Sequence, residues 1–582
     1  MLTGYNNYKV KIRKTEFVCK SGKSFSSTAC ISFYDENKRE LQYSELGYFD
    51  IEEIYKKIDS GEDINLDEAY IEDFSLSKYR KSRKIDEETD VVLNNFTANR
   101  AYFDSKINTD FSFADFQSSS VNFGYSNFIR GSVSFNSAKF GNGKADFSYC
   151  FFDNGNVDFA NTVFGEGEIE FKNTVFHKGT KDFQYADFGI GTNSFVNTEF
   201  GDGDVSFIDV NFNDGKTSFK MASFGEGKID FHFSKFGSDD ISFERVDFGE
   251  GKVDFRKVEF GVGKVNFNRA VFGNSDVTFE ACGLIKGRMT FLRSVFGDGK
   301  LNFDIVEFDN SELVFNNTDF GTKSVYFAQS KFKKLTLQSC HFNNYFDLRL
   351  AKCKYLDISD SIIRDIIDLT PYEHDVEINI INFSGIRLLG QIYIDWHKNN
   401  VKELIDRQEK TTYKDKAEQF RVLKENYGKI GNYKHEDLAY IQFKRHELKA
   451  SIHISDNGDK TNLVWKYPLY IFKYIVFDVM GLYATSPLRV LTSLVSVYFI
   501  FSFFHFVSPY ILDTSINCIS SDAGFFKKLY DTLYYSMITF TTVGYGDCTP
   551  VGFLRFIASL EGFIGPFMLS YFTVAFARKI LR

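Results

Sequence analysis

From Phe111 onward, phenylalanine recurs at alternating steps of five and seven residues. Phe152, Phe159, Phe164, Phe171, Phe176, Phe183, Phe188 and Phe195 show the alternation, which runs to Phe332 with Leu284 standing in once. The unit is twelve residues, F-G-x-G-x-V-x-F-x-x-A-x. Two positions before most of these Phe lies a small or β-branched residue, as at Val205, Val210, Ala222, Ile229, Val246 and Val253. A fixed period of this kind means stacked units that bury their apolar face only against their neighbours. The pattern predicts a β-solenoid over residues 106–395, two units making a coil of about 24 residues. Each Phe would stack on the Phe one coil above, and burial of each ring is worth roughly 2–3 kcal/mol. The G-x-G pairs would form corners, because glycine tolerates positive φ. After Phe332 the seven-residue step is gone, and the step is five through Leu337, Phe342, Leu348, Cys353, Ile358 and Ile363, with a single six before Leu348. Ile378, Phe383 and Leu388 mark the last units, at a narrower, closing end.

The pattern changes on both sides of the repeat. Residues 1–105 read as an α+β entry domain that caps it. Tyr8-Val10-Ile12 and Cys30–Tyr34 alternate as strands do. Phe49–Ile58 reads as a helix capped by Asp50 and stopped at Gly61. Lys78–Lys84 reads as a basic, solvated linker. Residues 400–455 have helical periodicity broken at Gly428 and Gly431-Asn432, which predicts a hairpin. Its seam would hold Phe420, Leu423, Tyr427, Leu438, Ile441 and Phe443. After a loop at Asn457-Gly458, residues 464–485 are apolar but carry Lys466, Lys473 and Asp478. Aromatic and lysine side chains favour the membrane interface, so this reads as a helix lying along it; a short third span is the alternative.

Residues 488–582 hold two apolar runs, about 490–512 and about 553–577, each long enough for a core of ~30 Å. Arg489 precedes the first, and Arg578, Lys579 and Arg582 follow the second, which places both termini in the cytoplasm and Asp513 and Asp522 outside. Between them, residues 525–540 read as a helix entering partway, whose C-terminal end favours a cation. The first residues, MLTGYNNYKVKIRK, lack the apolar stretch of a signal peptide. No segment repeats Arg at every third position, so no voltage sensor is expected. Little chain follows the second run, so control is expected from the N-terminal side.

Composition adds exclusions. The chain holds 68 Phe against 6 Pro and 2 Trp, an excess that the repeat explains. A net charge of -9 and a pI near 5.7 argue against a nucleic-acid binder. The eight cysteines have no metal-ligand spacing. Most read as small core residues. Cys518 and Cys548 lie between the two apolar runs, flanking the partway helix on the same side of the membrane, and a disulfide or two free thiols are both open, with free thiols favoured. The G-x-G-acid corners faintly resemble calcium-binding β-roll loops, but the period is wrong and Lys228, Lys252, Lys264 and Lys300 follow the corners. No nucleophile–base pair, phosphate loop or metal site appears, so neither an enzyme nor a cofactor is expected.

The chemistry concentrates in Thr541-Thr542-Val543-Gly544-Tyr545-Gly546-Asp547. Thr542–Gly546 can turn successive carbonyls to one side, with Gly544 and Gly546 supplying positive φ. A ring of such oxygens, with the Thr542 hydroxyl, can replace the water shell of a cation. The stretch resembles the selectivity filter of potassium channels. The five-residue step resembles the pentapeptide-repeat family, which forms a right-handed quadrilateral β-helix; the seven-residue step departs from it. Some of that family mimic DNA through an acidic face, a role that a pore on the same chain argues against. The order of solenoid, hairpin and pore resembles prokaryotic channels with pentapeptide repeats.

These resemblances imply a multidomain homotetramer: a β-helix, an α-helical hairpin and an all-α, two-span pore in the inner membrane of a prokaryote. K⁺ at the filter would be its only metal. Its partners would be its own copies, membrane lipid, and an unknown ligand or protein at the N-terminal domain. Thr541 and Asp547 would support the filter. Tyr534 would reach Asp547 and Tyr535 would reach Tyr545, in the place of a Trp pair. Ile538 stands where some channels have a buried Glu. Gly565, followed by Pro566, stands at a gating hinge. Glu561, in apolar sequence, is a candidate intramembrane acid or a hydrogen-bonded structural one. A non-selective pore is disfavoured, because Tyr545 stands where some of those have Asp. The rival is a membrane-anchored scaffold or ligand sensor with a non-conducting pore.

Overall fold

The computed structural model describes residues 5–581 except 21, 118–119, 372–373, 454–462, 513 and 521. The expected loop at Asn457-Gly458, the external Asp513 and the terminal Arg582 lie outside the described residues. The chain divides into two compact units, Met1–Gln408 and Glu409–Arg582.

The first unit is a β-solenoid. Its short strands pair in parallel with partners 24 positions on, as in Val133↔Val157↔Lys181↔Val205↔Ile229. A second such ladder runs Ala145↔Ile169↔Asn193↔Thr217↔Ile241. Bridges through Lys139, Val163 and Asp187, and through Val175, Glu199 and Ser223, make a third and a fourth. The core is phenylalanine. Phe147, Phe171, Phe195 and Phe219 stack at 4.9, 5.0 and 4.6 Å between centroids, with planes within 2°. Phe159, Phe183 and Phe207 form the facing stack. Rings meet edge-on across the axis, Phe159 and Phe171 at 5.4 Å and 90°. Both arrangements set a ring's positive edge against a negative face, which adds to the area buried.

Two features of the coil differ from the sequence expectation. Left-handed backbone recurs every twelve residues at Asn161, Asn173, Tyr185, Asn197, Asp209 and Met221, with φ of 52–60°. Each lies two positions after a core Phe, and the next coil's carbonyls hold its N–H, as Val196 holds that of Asn173 at 3.0 Å. The corner glycines answer to a second demand. A Cβ on Gly251, whose φ is not positive, would lie 1.5 Å from the Gly227 carbonyl oxygen. Close approach of successive coils therefore requires glycine there even where conformation does not. In several coils a buried Ser, Thr or Cys donates to a core Phe carbonyl 27 positions back: Thr162 at 2.9 Å, Thr174 at 2.6 Å, Cys150 at 2.9 Å and Cys282 at 2.8 Å. These thiols do a hydroxyl's work in the core.

The coil narrows where the step shortens, from 24 to 21 positions at Val325↔Phe346 and Phe346↔Ile367. At the other end, parallel stacking starts ahead of residue 106, with Asn65↔Thr97. Strands Asn7–Arg13, Thr28–Tyr34 and Glu40–Phe49 form an antiparallel layer that joins the stack through Ala69–Glu72 and Tyr102–Asp110. Helix α1 (Ile51–Ser60) has the expected Asp50 cap and left-handed Gly61. The expected solvated linker is instead helix α2 (Leu76–Arg83). Arg80 is buried there and donates to the Ser112 carbonyl at 2.8 Å and hydroxyl at 3.1 Å, fixing α2 to a coil. Helix α3 (Val401–Asp406) closes the far end, where the Asn399 amide donates to the Leu369 carbonyl at 2.9 Å.

The second unit is helical. Helices α4 (Tyr413–Lys429), opened by a Thr412/Asp415 capping box, and α5 (Tyr433–Ile452) form the hairpin. Phe420, Leu423, Tyr427, Ala439 and Ile441 are buried in its seam, while Leu438 and Phe443 are half-buried. Helix α6 (Leu463–Lys473) runs into a π-helical turn, Tyr474–Val479, and a left-handed bend at Leu482–Ala484. Its face exposes Leu469, Ile471, Phe472 and Ile475. Helices α7 (Pro487–Ile511) and α9 (Leu554–Ile580) are long and apolar enough to cross a membrane, and α8 (Phe525–Phe540) packs between them. Ser515–Ile516 pairs antiparallel with Pro550–Val551. That pairing brings Cys518 and Cys548 together, and they form a disulfide. The expectation of free thiols is thereby corrected: the strand pair, not sequence proximity, sets their distance.

Candidate functional site

The loop after α8 turns back on that helix's end. The Ile538 carbonyl accepts two loop amides, Val543 N–H at 2.9 Å and Gly544 N–H at 3.2 Å. The Thr541 hydroxyl donates to the Met537 carbonyl at 2.7 Å. The Ile538 carbonyl is one that a helix end leaves unpaired, and the Met537 carbonyl also accepts the Thr541 N–H at 3.0 Å. Beyond them φ is positive at every second residue: +55° at Thr542, +50° at Gly544 and +78° at Gly546. In a strand, successive residues face opposite sides. Reversing the sign of φ at alternate residues cancels that alternation and turns successive carbonyls the same way. The glycines adopt the backbone the sequence implies. Thr542 was not expected to, since a β-branched residue is strained there; its hydroxyl donates to the Thr541 carbonyl at 2.7 Å. Thr542–Gly546 are exposed on the single chain, Val543 at 51% and Tyr545 at 73%.

The Tyr534 hydroxyl donates to the Asp547 carboxylate at 2.9 Å, so these two expected neighbours meet. Tyr535 and Tyr545 do not meet within the chain. Successive helix residues point about 100° apart, and Tyr535 faces the other way. It is buried against His505, ring centroids 5.1 Å apart, and clusters with Ile516, Cys548 and Leu554. Ile538 is buried.

Helix α9 runs through Gly565 and Pro566. A Cβ on Gly565 would lie 1.8 Å from the Phe540 carbonyl oxygen, so close packing on α8 requires glycine at this position. Glu561, one turn earlier, is fully buried. Its carboxylate accepts the Ser536 hydroxyl at 2.5 Å and lies 2.8 Å from His505 Nε2. Neither partner was read as functional from sequence; a histidine inside the first apolar run was the available signal.

Elsewhere in the second unit, α5 holds two elements. Arg445 makes a bidentate pair with buried Asp478 in the π turn, at 2.8 and 2.9 Å. Asp437 accepts from Arg578 at 3.0 Å and Lys579 at 3.3 Å, at the end of α9. The pairing draws the Arg445 guanidinium above its usual range, its hydrogen bonds to Asp478 outweighing partial burial. A cavity of about 800 Å³ beside these contacts is lined by Tyr440, Lys444, Phe477, Phe567, Tyr571 and Val574.

Residues 493–582 match the family model described as ion channel, a stretch that takes in most of α7, α8, the carbonyl loop and α9. No curated protein and no solved structure shows a significant match to the chain.

Proposed function

We propose that the chain is a potassium-selective channel subunit, four copies of which place Thr542–Gly546 around one axis. The observation that carries this reading is the alternating positive φ at Thr542, Gly544 and Gly546, between two span-length helices in a segment of the ion channel family. One chain supplies one row of carbonyls, and replacing the full hydration shell of a cation takes several rows. Val543 and Tyr545, exposed on one chain, would be covered by neighbouring copies. Exposed apolar side chains on α7, among them Phe499, Phe503 and Phe504, would meet lipid. Both termini would lie in the cytoplasm of a prokaryote.

Control would reach the pore through α5, which grips both the lead into α7 and the tail of α9. The test is flux in liposomes holding the full-length chain, with subunit number measured by native mass spectrometry. Potassium-selective flux that barium blocks, from a tetramer, is the expected result. Equal passage of sodium would refute selectivity, and a monomer without flux would favour the membrane-anchored scaffold or sensor.

A further inference from the structure

We propose that Glu561 is a positioning residue for the carbonyl loop, holding α8 at a fixed depth and roll between α7 and α9 through His505 and Ser536. The inference rests on the channel reading above. Three helices meet at one carboxylate, and His505, Ser536 and Glu561 are each 0% exposed. Oε1 accepts the Ser536 hydroxyl from α8, and Oε2 faces His505 Nε2 from α7. A carboxylate inside an apolar span is costly unless paired. Apolar packing would fill the same space, but it is non-directional, whereas charge-assisted hydrogen bonds fix an angle as well as a distance.

The route to the loop is short. Ser536 lies two residues before Ile538, whose carbonyl holds the Val543 and Gly544 amides. Tyr535, next to Ser536, leans edge-on at 83° against the same His505 ring and packs beside Cys548, the residue after Asp547. The network therefore borders both ends of the loop. His505 Nε2 lies 2.8 Å from the carboxylate, and its Nδ1 is buried with no partner among the described residues. Among the described residues, Glu561 thus supplies the one polar side-chain contact that orients the ring on which Tyr535 leans. Ile538 offers the loop no acid from α8, and this acid arrives from α9 instead.

The test uses the full-length chain in liposomes, with K⁺ and Na⁺ flux and tetramer retention read separately. Exchanging a buried polar pair jointly for apolar side chains is often neutral for stability. The His505→Leu/Glu561→Leu double variant should therefore stay assembled yet lose K⁺/Na⁺ discrimination by roughly ten-fold, the factor carried by one hydrogen bond to a charged group. Glu561→Gln alone, which puts a donor where an acceptor stood, should lose it likewise. His505→Gln, whose amide can still donate to Glu561, should recover most of it. A double variant as selective as the wild type would overturn the proposal, and so would loss of assembly in all three variants, since the role would then lie in folding. An unselective wild type would overturn the channel reading and this proposal together. A selective wild type beside an unchanged double variant would overturn this proposal alone.

Discussion

Lys181 occupies a slot that valine fills one coil before and one coil after. It is 1% exposed, and its ammonium donates to the Asp202 carbonyl at 2.8 Å. Burial pushes its pKa down to about 8. Below that value the lysine is protonated in both folded and unfolded chains, and folding bears the full cost of burying the charge. Above it, up to the ordinary lysine range, only the unfolded chain holds the proton, so the cost fades as pH rises. Lys181→Val should therefore raise solenoid stability by up to about 3 kcal/mol at pH 7, read from urea unfolding, and by much less at pH 10. Gly565→Ala should act in the opposite direction. Its methyl group would press the Phe540 carbonyl away, and overpacking of this kind costs about 1–3 kcal/mol, so the assembled protein should melt at lower temperature. The repeat was legible because its residues are nearly invariant along the chain. The left-handed corner was not, because Asn, Tyr, Asp and Met all stand there and only Asn and Asp carry a local signal.

At the scale of elements, apolar period located α4 and α5, and unbroken apolar runs located α7 and α9. Neither could reveal what ties them together. The Cys518–Cys548 bond depends on a two-residue strand pairing, and Asp437 meets Arg578 and Lys579 across 141 and 142 positions. That clasp is only partly exposed, Asp437 at 11% of its side chain and Arg578 at 21%. Asp437→Asn should release the inner end of α9 and raise single-channel open probability by about five-fold, a change of roughly 1 kcal/mol, the upper range of an accessible ion pair. Arg445→Gln leaves that clasp intact while freeing the lead into α7, so it should shift open probability less. Equal effects would mean that α5 acts as one rigid block.

For the whole molecule, stability in the first unit is a sum of nearly identical neighbour terms, so the unit should transmit force as a stiff rod. Deleting residues 1–395 should therefore leave a pore that conducts but no longer responds to whatever engages the N-terminal domain. Unchanged open probability under every condition would refute coupling. Deleting residues 1–50 alone should give a different failure. It strips the antiparallel layer from Ala69–Glu72 and leaves a bare strand edge in register with any other chain, so light scattering should report head-to-tail polymers.

That layer also has a consequence for synthesis. Strands Asn7–Arg13 to Glu40–Phe49 leave the ribosome before any coil, so the blunt end is finished first and each later coil is laid on a completed template. The only adhesive surface on the nascent chain is then the newest one. It travels with the point of translation until Val401–Asp406 seals it, before the first span-length helix emerges to seek a bilayer.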